Sequence, residues 1–129
     1  MDLGKSLQDL GEKKLDDPGF DSNLVRECLS LYKTPLGKLT AENLRLLIGQ
    51  KIGLSYTVPL ALSLLEDNPT ISGDMYYCDL VLTVAKLPDE FWESNPDLNN
   101  RVVEITHEAE SLAESLNEAL GFLRNRTFL

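Results

Sequence analysis

The segment LTAENLRLLIGQKIGLSYTVPLALSLLED, residues 39–67, decides the fold class, because it contains two consecutive helix signatures. Thr40 stands at an N-cap position, where a hydroxyl can accept a hydrogen bond from the first turn. Leu44, Leu47 and Ile48 then follow at the i, i+3, i+4 spacing that places apolar side chains on one helix face. The first half of the segment therefore predicts an α-helix with a buried stripe.

Two glycines separate this helix from the next one. Gly49 and Gly53 supply backbone angles that a side chain would forbid, so they predict a break in the chain. Pro59 suits the first turn of the following helix, where its missing N–H has no helical partner in any case. That helix is apolar nearly all round and is predicted to be central. It should end before Asn68-Pro69, because a residue that precedes proline disfavours the helical conformation.

Two further helices flank this centre. Ser22 is a candidate N-cap for a helix that ends before Pro35, and Asn95-Pro96 opens the longest helix, of about 28 residues. The apolar positions of the last helix alternate steps of four and three residues. They are Leu98, Val102, Ile105, Ala109, Leu112, Leu116, Ala119 and Leu123. Such a seam fits either packing within a helical bundle or a coiled-coil dimer.

The predicted fold class is all-α, a single-domain bundle of about five or six helices with a long C-terminal helix. The whole chain, residues 1–129, is expected to form one domain, in which residues 1–21 are an N-terminal arm. Leu7, Leu10 and Leu15 are the residues expected to anchor that arm on the core. A short helix beginning at Ser6 is one form the arm could take.

The stretch GDMYYCDL, residues 73–80, concentrates polar and aromatic side chains. Asp74 is predicted to cap a helix that runs from Met75 to Lys86. On such a helix Tyr76 and Tyr77 would lie about 100° apart, so one of them is expected at the rim of the core. Tyrosine is favoured at protein interfaces, but packing of both rings is the interpretation that the sequence favours slightly. Cys78 is expected to be a core thiol.

The bulk composition limits the classes of partner. The chain has 129 residues, 21 acids, 12 bases and a net charge of -9. This balance argues against nucleic acid and against an anionic membrane surface, because both require Lys and Arg. The N-terminal sequence has no apolar signal-peptide region and no run is long enough to span a membrane, so a cytoplasmic location is expected.

Few residues could support catalysis or metal binding. The only histidine, His107, follows Glu104 by three residues, but a di-iron bundle needs two such Glu-x-x-His pairs. Cys28 and Cys78 lie far from His107 in sequence and among apolar neighbours, which disfavours a thiolate. We therefore predict no enzyme activity, no metal and no cofactor; a cysteine hydrolase is the weaker alternative.

Acidic residues are concentrated in one window, residues 89–118, where Arg101 is the sole base among nine acids. The nine are Asp89, Glu90, Glu93, Asp97, Glu104, Glu108, Glu110, Glu114 and Glu118. They could form an ordinary solvated surface. Alternatively, they form an electrostatic footprint for a basic protein.

Several runs of this sequence resemble one known family. The runs LTAENLRLLIGQKIGLSYTVPLAL, GDMYYCDLVLTV and LPDEFW occur in the order typical of contact-dependent growth inhibition (CDI) immunity proteins. The resemblance covers roughly residues 5–95, and runs in a fixed order make it more specific than a single motif. At Tyr77-Cys78 the chain departs from the family pattern, which has smaller or glycine-containing sequence there.

The resemblance implies a function. Such a protein would bind the C-terminal toxin domain of a large secreted effector; many of these toxins are nucleases, and nucleases tend to be basic. The chain would act as a monomer that forms a 1:1 heterodimer with the toxin. The expected partner-binding residues are Asp74, Tyr76, Tyr77, Asp79, Asp89, Glu90, Glu93, Asp97, Glu104 and Glu108. The alternative is a non-catalytic adaptor or a module that dimerises through the seam of residues 95–124.

Overall fold

The computed structural model describes residues 1–12 and 22–126, and these residues form six α-helices and no strand. The helices are α1 (Asn23–Tyr32), α2 (Ala41–Gly49), α3 (Leu54–Asp67), α4 (Asp79–Ala85), α5 (Asp89–Ser94) and α6 (Pro96–Arg124). One turn of 3-10 helix, Leu36–Lys38, lies between α1 and α2. The predicted all-α class and the long C-terminal helix are confirmed. Among the described helices, none combines the length and apolar character that a membrane span requires.

Helix α3 is the centre of the larger core, as its apolar composition predicts. It contacts α2, α4 and α6. Val58, Ala61, Leu62 and Leu65 of α3 are completely buried. Because burying one such aliphatic side chain stabilises a fold by about 1.5–3 kcal/mol, this helix contributes much of the hydrophobic stabilisation. The predicted stripe of α2 is also confirmed, since its three residues pack in the two core clusters.

The predicted caps at Ser22 and Thr40 are confirmed, whereas Pro59 lies elsewhere than predicted. Ser22 accepts a hydrogen bond from the amide of Val25, and Thr40 forms a reciprocal capping box with Asn43. Pro59 is inside α3 rather than in its first turn, because that helix already begins at Leu54. The proline leaves one carbonyl without a helical donor, but the residue concerned, Ser55, is exposed to water.

The N-terminal arm packs on a second, smaller core. Leu7 is completely buried against residues of α1 and α2, and Leu10 is partly buried there. Gln8 donates its amide to the carbonyl of Tyr32 over 3.1 Å, and Leu36 donates to Lys5 over 2.9 Å. Leu7 and Leu10 thus anchor the arm as predicted, although residues 1–12 form turns rather than a helix. The third predicted anchor, Leu15, lies outside the described residues.

The seam of α6 packs within the chain over its first half alone. Val102 and Ile105 are buried, whereas Leu112, Leu116 and Leu123 are exposed. The reason is a mismatch in length, since the 14 residues of α3 span about 21 Å and the 29 residues of α6 span about 44 Å. The prediction of packing inside the bundle is therefore correct for the first half of the helix and wrong for the second half.

The backbone conformation of Gly53 and its contact with Leu7 predict that a side chain at this position would destabilise the fold. Its φ is +58°, and a Cβ added there would lie 2.7 Å from a methyl group of the buried Leu7. Gly53→Ala is therefore expected to lower the free energy of unfolding by about 2–4 kcal/mol, from left-handed strain plus overpacking. Urea denaturation followed by circular dichroism measures the change.

Gly11→Ala is the matched control for Gly53→Ala. Gly11 also has a positive φ, +76°, but nothing lies within 4 Å of an added Cβ. It should lower the free energy of unfolding by about 1 kcal/mol, the strain contribution alone. Equal losses in the two variants would contradict the proposed packing of Leu7 under Gly53.

Candidate functional site

The loop of residues 73–78, here called the aromatic loop, exposes three large side chains between α3 and α4. The exposed fractions are 64% for Met75, 49% for Tyr76 and 86% for Tyr77. Asp74 is exposed as well. Exposed tyrosines supply large contact areas with a polar end, which suits recognition of another protein. The sequence predicts one tyrosine at the rim of the core, with packing of both rings slightly favoured. The packing prediction is wrong, because both rings are exposed on a segment that is a loop and not a helix.

The carboxylate of Asp79 holds the aromatic loop from beneath. Asp79 is completely buried, and it accepts hydrogen bonds from the backbone amides of Gly73 (2.6 Å) and Met75 (3.1 Å). A third, longer contact of 3.5 Å joins it to the amide of Tyr76. The loop therefore has a fixed conformation imposed by a charged acceptor, and charge-assisted hydrogen bonds are among the strongest in proteins.

This arrangement corrects two predictions about GDMYYCDL. Asp74 does not cap a helix, because α4 begins four residues later than predicted, at Asp79. Asp79 does not lie at the surface, as its predicted partner-binding role requires, because its side chain is buried under the loop. The sequence pattern of an acid before a helical run is the same for both residues, but only Asp79 is enclosed, where loop amides and Arg45 compensate its carboxylate.

Helix α2 supplies a second support for the loop. Glu42 accepts a hydrogen bond of 2.6 Å from the amide of Asp74, and it forms an ion pair with Arg45. The Nε of Arg45 also lies 3.7 Å from the buried carboxylate of Asp79, so the arginine links both acids. The hydrogen bond from Arg45 is the main reason why the pKa of Glu42 lies below its usual value. Both acids that hold the loop are thus compensated by one cation.

Two backbone features let the loop lie close to α2. A Cβ at Gly73 would stand 2.9 Å from the Cα of Glu42, so a side chain there would push the loop away from the helix. Cys78 has a φ of +63°, the left-handed region that favours glycine. The departure from the family pattern at Tyr77-Cys78 therefore coincides with a position where glycine would relieve strain. The thiol of Cys78 is half-buried rather than in the core.

The acids predicted on α5 lie beside an open cleft. This cleft, of about 400 Å³, is lined by Asp89, Trp92, Glu93, Pro96 and Asn99. The Trp92 ring makes an edge-to-face contact with Phe91 at a centroid distance of 5.0 Å. Two carboxylates beside an indole ring present both a negative charge and an aromatic surface to a cation. Glu90 is exposed on the same short helix.

The acids predicted on α6 form a separate group. Asp97, Glu104 and Glu108 are exposed, and their spacing places them within an arc of about 40° on one edge of the helix. Asn99, which lines the cleft, is about 160° away from Asp97 around the helix axis. The predicted site residues therefore form three groups, at the aromatic loop, at the α5 cleft and along one edge of α6.

The single base of the acidic window does not neutralise this edge. The guanidinium of Arg101 donates to Glu66 of α3 over 2.6 Å and to the hydroxyl of Ser63 over 3.3 Å. The contact with Arg101 lowers the pKa of Glu66 below its usual value. Arg101 therefore forms its ion pair with an acid on a different helix, and the three acids of the α6 edge keep their negative charge.

Residues that could perform metal or thiol chemistry are dispersed. In the described ranges, no group of three or more His, Cys, Asp or Glu side chains is arranged to hold a metal ion. His107 is exposed on α6, as its place off the seam predicts. Cys28 is buried, and that burial raises the pKa of its thiol above the usual value.

Sequence reasoning missed the two residues of α2 that support the loop. Glu42 and Arg45 are three positions apart, which is a recognisable helical ion pair. Their contact with residue 74 joins positions 32 apart in the sequence, and nothing local indicates it. The one hint in the sequence is that residue 73 is a glycine, which permits close approach of a neighbouring backbone.

The support of the loop leads to a prediction about two acids. Asp79→Asn should lower the free energy of unfolding by about 2–4 kcal/mol, because it removes a buried charge from Arg45 and from the loop amides. Hydrogen exchange at the amides of Gly73 and Met75 should become faster. Both quantities can be measured on the isolated protein, by urea denaturation and by exchange mass spectrometry.

Asp74→Asn is the matched control, since it makes the same chemical change at the exposed acid of the same loop. Its effect on the free energy of unfolding should stay within about 0.5 kcal/mol. A larger loss from Asp74→Asn than from Asp79→Asn would indicate that Asp74 caps a helix, and would contradict the arrangement described above.

The chain is similar to one known protein family. A family model described as CDI immunity proteins matches residues 9–102. The matched range includes α1–α5, the aromatic loop and the start of α6, and it ends before most of that helix. No curated protein and no solved structure matches the chain.

Proposed function

Because the chain belongs to the family of CDI immunity proteins, we propose that it binds and neutralises the toxin domain of a cognate CDI effector. The observation that carries this proposal is the family match over residues 9–102. The proposed action is stoichiometric binding, one immunity protein to one toxin domain, in the cytoplasm of the cell that it protects. Neither a metal nor a cofactor is needed for it.

The aromatic loop is the proposed anchor of the complex. A rigid loop loses little conformational entropy when it binds, so the contact area of Tyr76 and Tyr77 is available for affinity. The hydrogen bonds to Asp79 and Glu42 supply that rigidity before the partner arrives. Asp74, at the start of the loop, adds a carboxylate beside the rings. Asp79 supports the site from within and makes no contact with the partner.

The acids on α5 and α6 have a different proposed role. Asp89, Glu90 and Glu93 at the cleft and the acidic edge of α6 each give their part of the surface a negative field. We expect the toxin to be basic, as nucleases commonly are, so that the field accelerates its approach. Exposed charges of this kind change the association rate more than the final affinity.

The proposed function can be tested with the C-terminal domain of the protein encoded immediately upstream of this chain. Co-expression should yield a 1:1 complex on size-exclusion chromatography, and cells that produce the domain should survive when they also produce this chain. A domain that is neither bound nor neutralised at micromolar concentration would contradict the proposal.

The anchor role predicts a large effect at Tyr77. Tyr77→Ala should weaken binding of the toxin domain by about 30-fold or more, mainly through faster dissociation, as is typical for a central interface tyrosine. Leu24→Ala removes an exposed apolar side chain from α1 and should leave the affinity within about twofold. Surface plasmon resonance measures both. Equal affinities for Tyr77→Ala and wild type would contradict the anchor role.

The steering role predicts a different kinetic change. Glu104→Gln combined with Glu108→Gln should slow association by roughly 3–10-fold at low ionic strength and change dissociation little. His107→Gln, an exposed change between the same two positions, should leave association unaltered. Stopped-flow measurements at low and high salt separate the contributions, because screening should reduce the difference between variants. An association rate that is independent of salt would contradict the proposed steering.

A further inference from the structure

The second half of α6 has an apolar face that no described element covers. The helix contacts α3 and α5, and every residue from 110 to 120 is exposed. The exposed fractions are 46% for Leu112, 60% for Leu116 and 58% for Leu123. We call this face the α6 stripe. Its residues are Ala109, Leu112, Ala113, Leu116, Ala119, Leu120 and Leu123.

The stripe continues the face that packs in the core. Its seven residues lie within an arc of about 120° around the helix, and the buried Val102 and Ile105 lie within the same arc. The stripe consists of leucine and alanine alone. The acids of the same segment, Glu110, Glu114 and Glu118, lie on the opposite side of the helix. This division is the pattern of a helix that buries one face against a partner.

A second copy of the chain is a poor fit to this face. A stable interface engages about 20–30 residues on each side, whereas two stripes laid together would engage seven from each copy. A face about 120° wide also exceeds the narrow seam of a two-stranded coiled coil. In addition, each copy has a net charge of -9, so two copies repel each other.

The stripe alone is too small for a stable interface, but it could be one part of a larger interface that also includes other surfaces of this molecule. A groove on another protein would enclose both flanks of the helix as well as its centre, which suits a wide stripe. The acidic edge of α6, Asp97, Glu104 and Glu108, runs along the same helix toward the stripe and would meet basic residues at the groove rim. The stripe also lies beyond residue 102, where the family match ends.

We propose that the α6 stripe inserts into an apolar, basic-rimmed groove of the toxin domain and gives this chain its selectivity for that toxin. The inference rests on the proposed function and deepens it, because it names the surface and the chemistry of the partner. The four leucines fill the groove at the i, i+4, i+8 and i+11 positions, and the acids opposite remain in water.

The test uses the full chain with Leu112→Gln and Leu116→Gln together. Glutamine has nearly the helix propensity of leucine, so the helix persists while its apolar contact is lost. The matched control is Ser111→Gln with Asn117→Gln, which places the same residues on exposed positions outside the stripe. Circular dichroism checks helicity, and calorimetric titration with the upstream-encoded C-terminal domain measures affinity.

The expected result is binding weakened by about 30-fold or more in the stripe variant and by less than about threefold in the control. Unchanged affinity of the stripe variant beside a tightly binding wild type would overturn this inference and leave the proposed function standing. Failure of the wild-type chain to bind would overturn the proposed function itself. A wild-type dimer in sedimentation that the stripe variant abolishes would also overturn the inference, in favour of a second copy.

Discussion

The burial of α3 is the constraint on which the rest of this structure depends. A helix that is apolar nearly all round has to be enclosed, and α2, α4 and α6 enclose it. Because α3 has 14 residues and α6 has 29, enclosure uses only the first half of α6. The same packing that stabilises the core therefore leaves a long apolar face that none of the described elements covers. One continuous face of α6 therefore stabilises the core through its first half and exposes apolar side chains along its second half.

The interaction between Asp79 and the loop before it is the second constraint. A buried carboxylate is unfavourable unless hydrogen bonds and a counter-charge compensate it, and here loop amides and Arg45 do so. The loop amides also depend on Asp79, because its carboxylate is the acceptor for their hydrogen bonds. As a result, a loop with two exposed tyrosines has a defined conformation. Rigid presentation of aromatic groups is what a selective interface requires.

Local patterns in the sequence predicted most of the fold. The caps at Ser22 and Thr40, the buried stripe of α2 and the start of α6 depend on residues within one or two turns of each other, and all were correct. The error at Asp74 has the same origin. Asp74 and Asp79 are equivalent as local cap signals, and the difference between them arises from Arg45, which is distant in sequence. Local sequence therefore cannot show which of the two acids is buried, because the cation that compensates the buried one is distant in sequence.

The candidate site was less predictable for a related reason. The residues proposed from charge and aromatic content do lie at the surface, apart from Asp79, but their separation into three groups depends on how α5 and α6 pack. The periodicity of α6 correctly identified a seam, yet it contains no information about the length of the helix that covers it. An apolar repeat indicates that a helix face is suited to burial. How much of that face is buried within the chain depends on the lengths of the helices that pack against it. For α6 those lengths leave about 22 Å of helix, residues 110–124, with an apolar face that no described element covers.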